Sequence, residues 1–91
     1  MLAIRYTVQA KRDLKKLAKQ NRDLSKLTLV LNLLAAGNTL PEKNHDHALR
    51  GDYAGHRECH IEPDWLLIYT VNNHALILTA VRTGTHSELF D

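Results

Sequence analysis

The sequence predicts a small α+β domain, in which an N-terminal helical hairpin packs on an antiparallel sheet of about four strands. Leucines recur at helical spacing between residues 14 and 34, and strand-length apolar segments follow between residues 57 and 82. Helices and strands that are segregated along the chain are typical of α+β proteins. A length of 91 residues provides one hydrophobic core, so residues 1–91 are predicted to form a single domain.

The N-terminal elements are predicted to be a short strand and two helices. Residues 2–8 alternate apolar with smaller or polar side chains, which indicates a strand that pairs with the later ones. Polar residues 19–23 interrupt the helical pattern, so two helices fit better than one, with Gln20 or Asn21 near the start of the second. Gly37 and Asn38 end that helix. The hairpin's apolar face consists of Leu14, Leu17, Leu24, Leu27, Leu31 and Leu34.

The C-terminal half is predicted to begin with a long loop and to continue as a sheet. Residues 39–55 are polar, contain two glycines and read as that loop. Pro63 and the pair Asn72–Asn73 supply the turns between strands. The final residues, TGTHSELFD, predict a turn that leads into one turn of helix. The three predicted strands are approximately Arg57–Glu62, Trp65–Val71 and Ala75–Arg82.

Charge is distributed unevenly along the chain. Residues 1–40 carry eight bases and two acids, whereas residues 41–91 carry four bases and eight acids. Five of the six histidines lie between residues 45 and 74. The sequence therefore predicts a basic helical half and a second half that holds the titratable groups.

Composition argues against several classes of protein. A single cysteine, Cys59, excludes an internal disulfide and favours a reducing compartment. The longest apolar run, Trp65 to Tyr69, is too short to span a membrane, and the first residues lack the apolar core of a signal peptide. We therefore expect a cytoplasmic protein with no membrane partner. Cys59 is expected to be a buried apolar side chain.

Strand geometry predicts where the polar side chains of the sheet point. In residues 57–62 the side chains alternate between the two faces, so Cys59 and Ile61 are predicted to face the helices. His60 then faces the open side of the sheet. Asp64 begins the next strand, just past the turn, and is expected to lie close to His60.

The remaining candidates lie in the loop and at the C-terminal end. Arg82 ends the last strand, and His86 follows four residues later. In a helical turn, His86 and Phe90 would lie one above the other. His47 belongs to the long loop, which must pass near these strand ends, and Trp65 is either part of the core or a wall of the site. These residues can gather with His60 and Asp64 on one concave surface.

Such a set suits the cleavage of RNA without a metal. This reaction needs a base for the 2′-hydroxyl, an acid for the leaving 5′-oxygen and positive charge for the transition state. Histidine as a residue type titrates near neutral pH and suits both proton transfers. Arg82 can hold a phosphate with two hydrogen bonds, Asp64 can orient a histidine or act as the base, and Phe90 offers a ring for an unstacked base.

Three spaced motifs make a family resemblance specific. They are His47-x-Leu49-x-Gly51, His60-x-x-x-Asp64-Trp65 and Arg82-x-Gly84-x-His86, with Phe90 four residues after the last histidine. In these motifs, and almost from end to end, the chain resembles the YafQ branch of the RelE/ParE-like toxins of bacterial toxin–antitoxin pairs. The resemblance implies a RelE-like, microbial-ribonuclease-like fold, cleavage of mRNA in the ribosomal A site, and silencing by a cognate antitoxin protein.

The resemblance also implies a set of functional residues. The matching positions are His47, His60, Asp64, His86 and Phe90, with Trp65 beside them. The better-known RelE members use Lys, Arg and Tyr at their sites, so acid–base roles do not transfer from them. We predict that His86 is the general acid, because it lies just past Arg82. The base remains open among His47, His60 and Asp64.

The basic helices are expected to contact phosphates of ribosomal RNA or an acidic antitoxin. The lysines chosen for this role are Lys11, Lys15 and Lys16. No metal and no small-molecule cofactor are expected. His45, His56 and His74 match no motif and are predicted to be solvent-exposed without a role.

Two alternatives remain beside the ribonuclease interpretation. One is a protein of the same fold that binds its target without cleaving it, such as a gyrase-directed toxin. The other is a metal-binding protein, because His45-x-His47 and His56-x-x-x-His60 have the spacing of metal ligands. The second pair is predicted to lie on a turn and a strand, where this spacing does not converge as it does on a helix.

Overall fold

A five-stranded sheet carries two long helices on one face and a short C-terminal helix on the other. The structure, a computed structural model, describes residues 1–90. In chain order its elements are β1 (Ala3–Tyr6), α1 (Val8–Lys19), α2 (Leu24–Ala35), β2 (His47–Ala48), β3 (Arg57–Glu62), β4 (Trp65–Asn72), β5 (Ile77–Gly84) and α3 (His86–Phe90). The α+β class predicted from the sequence is confirmed in this architecture.

The sheet differs from the predicted antiparallel sheet of about four strands. Its order is β1-β5-β4-β3-β2, and β1 pairs with β5 in parallel, so the sheet is mixed. The short strand β1, which the pattern of residues 2–8 indicates, precedes the helical hairpin, so the hairpin is not the first element of the chain. The additional strand β2 has two residues, too few to show an alternating pattern. Apolar periodicity predicts that a strand exists but carries no information on the direction of its pairing.

Side-chain caps determine where the two long helices begin. Thr7 accepts a hydrogen bond from the amide of Ala10 at 3.0 Å and donates one to the carbonyl of Val81 at 2.6 Å. It therefore caps α1 and also attaches it to β5. Helix α2 is capped by Asp23, which accepts from the amide of Ser25. The prediction that Gln20 or Asn21 starts this helix is wrong, because Gln20 ends α1 and Asn21 has a positive φ of 59°.

The sheet separates two apolar clusters. The main core lies between the sheet and the hairpin, and Cys59 is completely buried there, with Ile61 packed against it as predicted. Burial raises the pKa of the Cys59 thiol to about 12, so this thiol is inert at neutral pH. The second cluster covers the opposite face, where Leu89 of α3 packs on Leu66 and Ile68. The side of the sheet predicted to be open is thus partly covered.

No helix within residues 1–90 is both long enough and apolar enough to cross a bilayer.

The loop predicted for residues 39–55 contains two short 3₁₀ turns, Glu42–Asn44 and Gly51–Tyr53, with β2 between them. The loop thereby presents His47 at the edge of the sheet.

Candidate active site

Strand register places three polar residues, His47, Glu58 and Arg82, in one row across the sheet. His47 lies opposite Glu58, Glu58 opposite Ile68, and Ile68 opposite Arg82. Side chains paired in this way point to the same face. We call this face, which carries Glu58, His60, Leu66 and Ile68, the site face. Neighbouring strands are about 4.8 Å apart, so the row spans roughly 14 Å from His47 to Arg82.

His47 is held between two hydrogen-bond acceptors. Its Nδ1 lies 2.7 Å from the carbonyl oxygen of His45, and its Nε2 lies 3.4 Å from Oε1 of Glu58. A carbonyl oxygen only accepts hydrogen bonds, so Nδ1 must carry a proton. The two contacts together fix the orientation of the imidazole at the edge of the site face.

The carboxylate of Glu58 is a site-face residue that sequence reasoning missed. Glu58 is only 7% exposed, and His47 is its ion-pairing partner among residues 1–90. A buried carboxylate requires such a partner, because burial of an unpaired charge is costly. The alternation of β3 could have identified it, since Glu58 and His60 are two residues apart and share a face.

His60 lies in the next row of the site face. It pairs with Leu66, which pairs with Gly84, two residues before His86. The Nδ1 of His60 lies 3.3 Å from the carbonyl oxygen of Pro63. A carbonyl oxygen only accepts hydrogen bonds, so the neutral tautomer that makes this bond has its proton on Nδ1 and a lone pair on Nε2. Such a ring can accept a proton.

Asp46 attaches the histidine-bearing loop to the sheet. One carboxylate oxygen accepts from the hydroxyl of Tyr69 at 2.6 Å and from Nε of Arg57 at 3.3 Å. Burial of the Tyr69 phenol and this hydrogen bond raise the pKa of Tyr69, which therefore remains a donor. Since Asp46 lies between His45 and His47, these contacts determine where both imidazoles stand.

His86 and Phe90 form the contact that helical spacing predicted. Their ring centroids are 5.0 Å apart, and Phe90 also meets Tyr53 edge to face at 5.8 Å. Tyr53 in turn contacts His56 at 5.6 Å, so His56 is half-buried and the prediction that it is solvent-exposed is wrong. His86 is exposed and Phe90 partly exposed, so both rings are accessible at the edge of the site face.

A capping box holds α3 in place. The amide of Glu88 donates to Oγ1 of Thr85, and the amide of Thr85 donates to Oε1 of Glu88 at 2.8 Å. The other oxygen of Glu88 binds Nζ of Lys16 at 2.6 Å. The hydrogen bond from Lys16 and the one from the Thr85 amide lower the pKa of Glu88 to about 2. Helix α3, and with it His86, is thus tied to α1.

This ion pair predicts a specific pH dependence of stability. The pKa of Glu88 lies below its ordinary value of 4.5, so its charge contributes stability above about pH 4.5 that is lost toward about pH 2. Glu88→Gln keeps the capping geometry and removes the charge. Urea unfolding at a series of pH values should show the variant less stable than wild type at pH 7, with a difference that shrinks as the pH falls toward about 2. A difference that does not change with pH would contradict this assignment.

Arg82 is anchored by a carboxylate that the sequence did not indicate. Its Nε and Nη2 donate to Asp13 of α1 at 2.8 Å and 3.2 Å, and the amide of Thr83 donates to the same carboxylate at 3.1 Å. The hydrogen bond to Asp13 raises the pKa of Arg82. A phosphate contact by Arg82, as the sequence predicts, would therefore use the N–H groups that Asp13 leaves free, two on Nη1 and one on Nη2.

Asp64 is directed toward the helices and has no hydrogen bond with His60. Its two oxygens accept from Nη1 and Nη2 of Arg22 at 3.2 Å and 3.0 Å. The hydrogen bond from Arg22 lowers the pKa of Asp64, which makes its carboxylate a weaker base. The same guanidinium also binds Glu62 and lies 5.9 Å from the ring centroid of Trp65.

Two predicted binding residues have structural positions instead. Trp65 is completely buried and donates from Nε1 to Oγ1 of Thr83 at 2.8 Å, so it does not present a surface to RNA. Lys16 forms an ion pair with Glu88 that ties α3 to α1, so part of its charge is compensated. In contrast, Lys11 and Lys15 are exposed on α1, as predicted.

The histidines of the two possible metal pairs contact other side chains. His47 faces Glu58, His45 meets the ring of His60 at 5.4 Å, and His56 meets Tyr53. Within residues 1–90, no group of three or more His, Cys, Asp or Glu side chains is arranged to hold a metal ion.

Comparisons with known proteins agree with the motifs. The sequence model of the family described as "Bacterial toxin of type II toxin-antitoxin system, YafQ" matches residues 2–91. The mRNA interferase toxin YafQ of Escherichia coli strain K12 is 42% identical over 89 residues, which cover 96% of this chain and 94% of the relative.

Two solved structures extend the similarity to the fold. A chain of the E. coli DinJ–YafQ complex superposes with a TM-score of 0.89 at 37% identity, and both chains are covered completely. A metal-bound toxin from Helicobacter pylori superposes with a TM-score of 0.93 at 42% identity, over 99% of this chain and 100% of that one. The family prediction is confirmed: this chain belongs to the YafQ family of toxins of bacterial type II toxin–antitoxin systems.

Proposed function

We propose that this toxin is an endoribonuclease that cleaves mRNA in the A site of the ribosome by attack of the 2′-hydroxyl. The observation that carries the proposal is that His47 and His60 lie on one sheet face, with Arg82 in the same row as His47. Helix α3, which carries His86, packs on this same face. A protein that only binds its target has no need of this set. The name of the E. coli relative, mRNA interferase toxin, supports the same activity.

His60 is the proposed general base. Its Nδ1 is engaged by the carbonyl of Pro63, so Nε2 can accept the proton of the 2′-hydroxyl. Asp64 is the weaker candidate, because both of its oxygens are occupied by Arg22. We assign Asp64 to fixing the β3–β4 turn that holds His60. His47 is the third candidate for the base that the sequence leaves open. It is less suited than His60, because both of its ring nitrogens already face hydrogen-bond acceptors.

His86 is the proposed general acid for the leaving 5′-oxygen. It is exposed, and the Phe90 ring beside it limits the orientations that the imidazole can adopt. Arg82 and His47, at opposite ends of one row, supply positive charge for the transition state. The exposed part of Phe90 can stack on an unpaired base.

A cognate antitoxin is the proposed regulator, because a YafQ-family toxin from E. coli is crystallised in a complex with DinJ. The basic α1 offers charge complementarity to an acidic segment of such a protein and, in its absence, to ribosomal RNA. The antitoxin and the ribosomal RNA would therefore compete for the same face of α1.

The basic face of α1 is expected to contribute to ribosome binding. Lys11→Glu combined with Lys15→Glu should weaken affinity by about tenfold at low salt, because each reversal replaces an attraction with a repulsion. The effect should decrease as salt is added. Lys16 is left unchanged because its reversal would repel Glu88 and disturb α3. Equal affinity of variant and wild type in a low-salt sedimentation assay would show that these lysines are only a solvated face.

Catalysis is expected to require no metal ion. The products should then carry a 2′,3′-cyclic or 3′-phosphate and a 5′-hydroxyl, and activity should survive a chelator that leaves the ribosomes intact. The alternative is a metal-dependent reaction, and the structure of a metal-bound toxin from H. pylori is the reason to test it. Loss of cleavage in EDTA that is restored by one added divalent metal, or 5′-phosphate ends, would favour a metal-dependent reaction.

A further inference from the structure

A cleft of about 510 Å³ lies beside His60, at the edge of β3 that β2 leaves uncovered. This volume falls within the range of small-ligand sites. Asn44 fixes one wall, because it is buried and its side chain donates to the carbonyl of His60 at 2.6 Å. We call this cleft the flanking cleft. Its lining consists of Asn44 and of Lys26, Lys43, His45, His60, Ile61, Glu62 and Pro63.

The charge of the flanking cleft favours an anionic ligand. Lys26 is bound to Glu62 at 2.9 Å, so its charge is largely compensated. Among residues 1–90, no carboxylate lies within ion-pair distance of Lys43, which is exposed. The cleft therefore offers one ammonium group for a phosphate.

The walls of the flanking cleft suit a planar ring. Ile61 and Pro63 supply apolar surface, and His45 supplies an exposed imidazole. His45 has a φ of 47°, a left-handed conformation that few residues other than glycine adopt. In this conformation its ring meets that of His60 at 5.4 Å. Aromatic side chains, histidine among them, are surfaces on which unstacked RNA bases stack.

We propose that the flanking cleft binds the nucleotide next to the cleaved bond, with its base against His45 and its phosphate at Lys43. The inference rests on the proposed ribonuclease function, because His60 lines the cleft and is also the proposed base. A strand whose 2′-hydroxyl meets His60 would place its neighbouring nucleotide here. This gives His45 a role that its sequence position did not predict.

Binding can be measured without cleavage. The ¹⁵N-labelled full chain is titrated with the four nucleoside 5′-monophosphates and, separately, with inorganic phosphate, while amide shifts are followed by NMR. We expect nucleotides to shift the amides of Lys43, His45 and Ile61 and to bind more tightly than phosphate. Lys43→Glu should weaken nucleotide binding at least about fivefold, which corresponds to about 1 kcal/mol. Lys19→Glu, the same charge change on the exposed end of α1, is the matched control.

Three results would overturn the assignment: no shifts at the cleft with any nucleotide, equal affinity for phosphate and nucleotides, or equal weakening by Lys43→Glu and Lys19→Glu. The test is independent of the catalytic proposal. A chain that binds nucleotides at the cleft but leaves ribosome-bound mRNA intact would refute the proposed function alone. A chain that cleaves mRNA but fails the titration would refute the flanking cleft alone.

Discussion

Replacement of His86 by alanine is expected to lower the single-turnover rate of mRNA cleavage by about 10²–10⁴-fold, the usual contribution of a positioned general acid. Ribosome affinity and thermal stability should change little, because His86 is exposed and buries little surface. His86→Gln should not restore the rate, since an amide can donate a hydrogen bond but cannot release a proton to the leaving oxygen.

The matched control is His74→Ala. His74 lies in the β4–β5 turn, where its backbone amide donates to the side chain of Asn72, and its imidazole is exposed. This variant should cleave at the wild-type rate. If His86→Ala stays within about threefold of wild type, below the low end of the expected range, the acid is a different residue. His47 would then be the next candidate, because both of its ring nitrogens face acceptors.

Replacement of Trp65 by alanine should produce the opposite pattern, a large loss of stability. Trp65 is completely buried, and truncation of a buried tryptophan typically costs about 3–5 kcal/mol. A domain of this size has a total stability of about 5–15 kcal/mol, so the melting temperature should fall by roughly 15 °C or more. Urea or thermal unfolding followed by circular dichroism measures this directly.

A second variant separates the contribution of the buried volume of Trp65 from that of its hydrogen bond to Thr83. Trp65→Phe fills most of the cavity and loses the bond from Nε1 to Thr83, whose hydroxyl still donates to the carbonyl of Leu66 at 2.9 Å. It should cost about 1–2 kcal/mol, far less than alanine. If Trp65→Ala is as stable as wild type but cleaves poorly, the indole acts on the substrate and its assignment to the core is wrong.

The elements that the sequence predicts well are those with local signals. The β3 range agrees with the prediction, and the alternation that sends Cys59 to the core and His60 to the site face needs only adjacent residues. The spacing of His86 and Phe90 likewise fixes their contact within one helical turn. Such signals depend on the period of a strand or helix and not on the rest of the fold.

The features that were missed depend on contacts between distant parts of the chain. Asp13 and Arg82 are 69 residues apart, and Arg22 and Asp64 are 42 apart. No local pattern pairs these charges, so Arg82 looked like a free phosphate ligand and Asp64 like a free base. The parallel pairing of β1 with β5 was also not predicted, because it joins strands from the two ends of the chain.

Mapping of 5′ ends on purified bacterial ribosomes tests the central proposal most directly. Ribosomes that carry a defined mRNA and an empty A site are incubated with wild-type protein, with His86→Ala, or without protein. We predict new 5′-hydroxyl ends inside the A-site codon with the wild type, and at least about 100-fold fewer with His86→Ala at equal ribosome occupancy. Intact mRNA on ribosomes that bind the toxin, or equal cleavage by both proteins, would contradict the account.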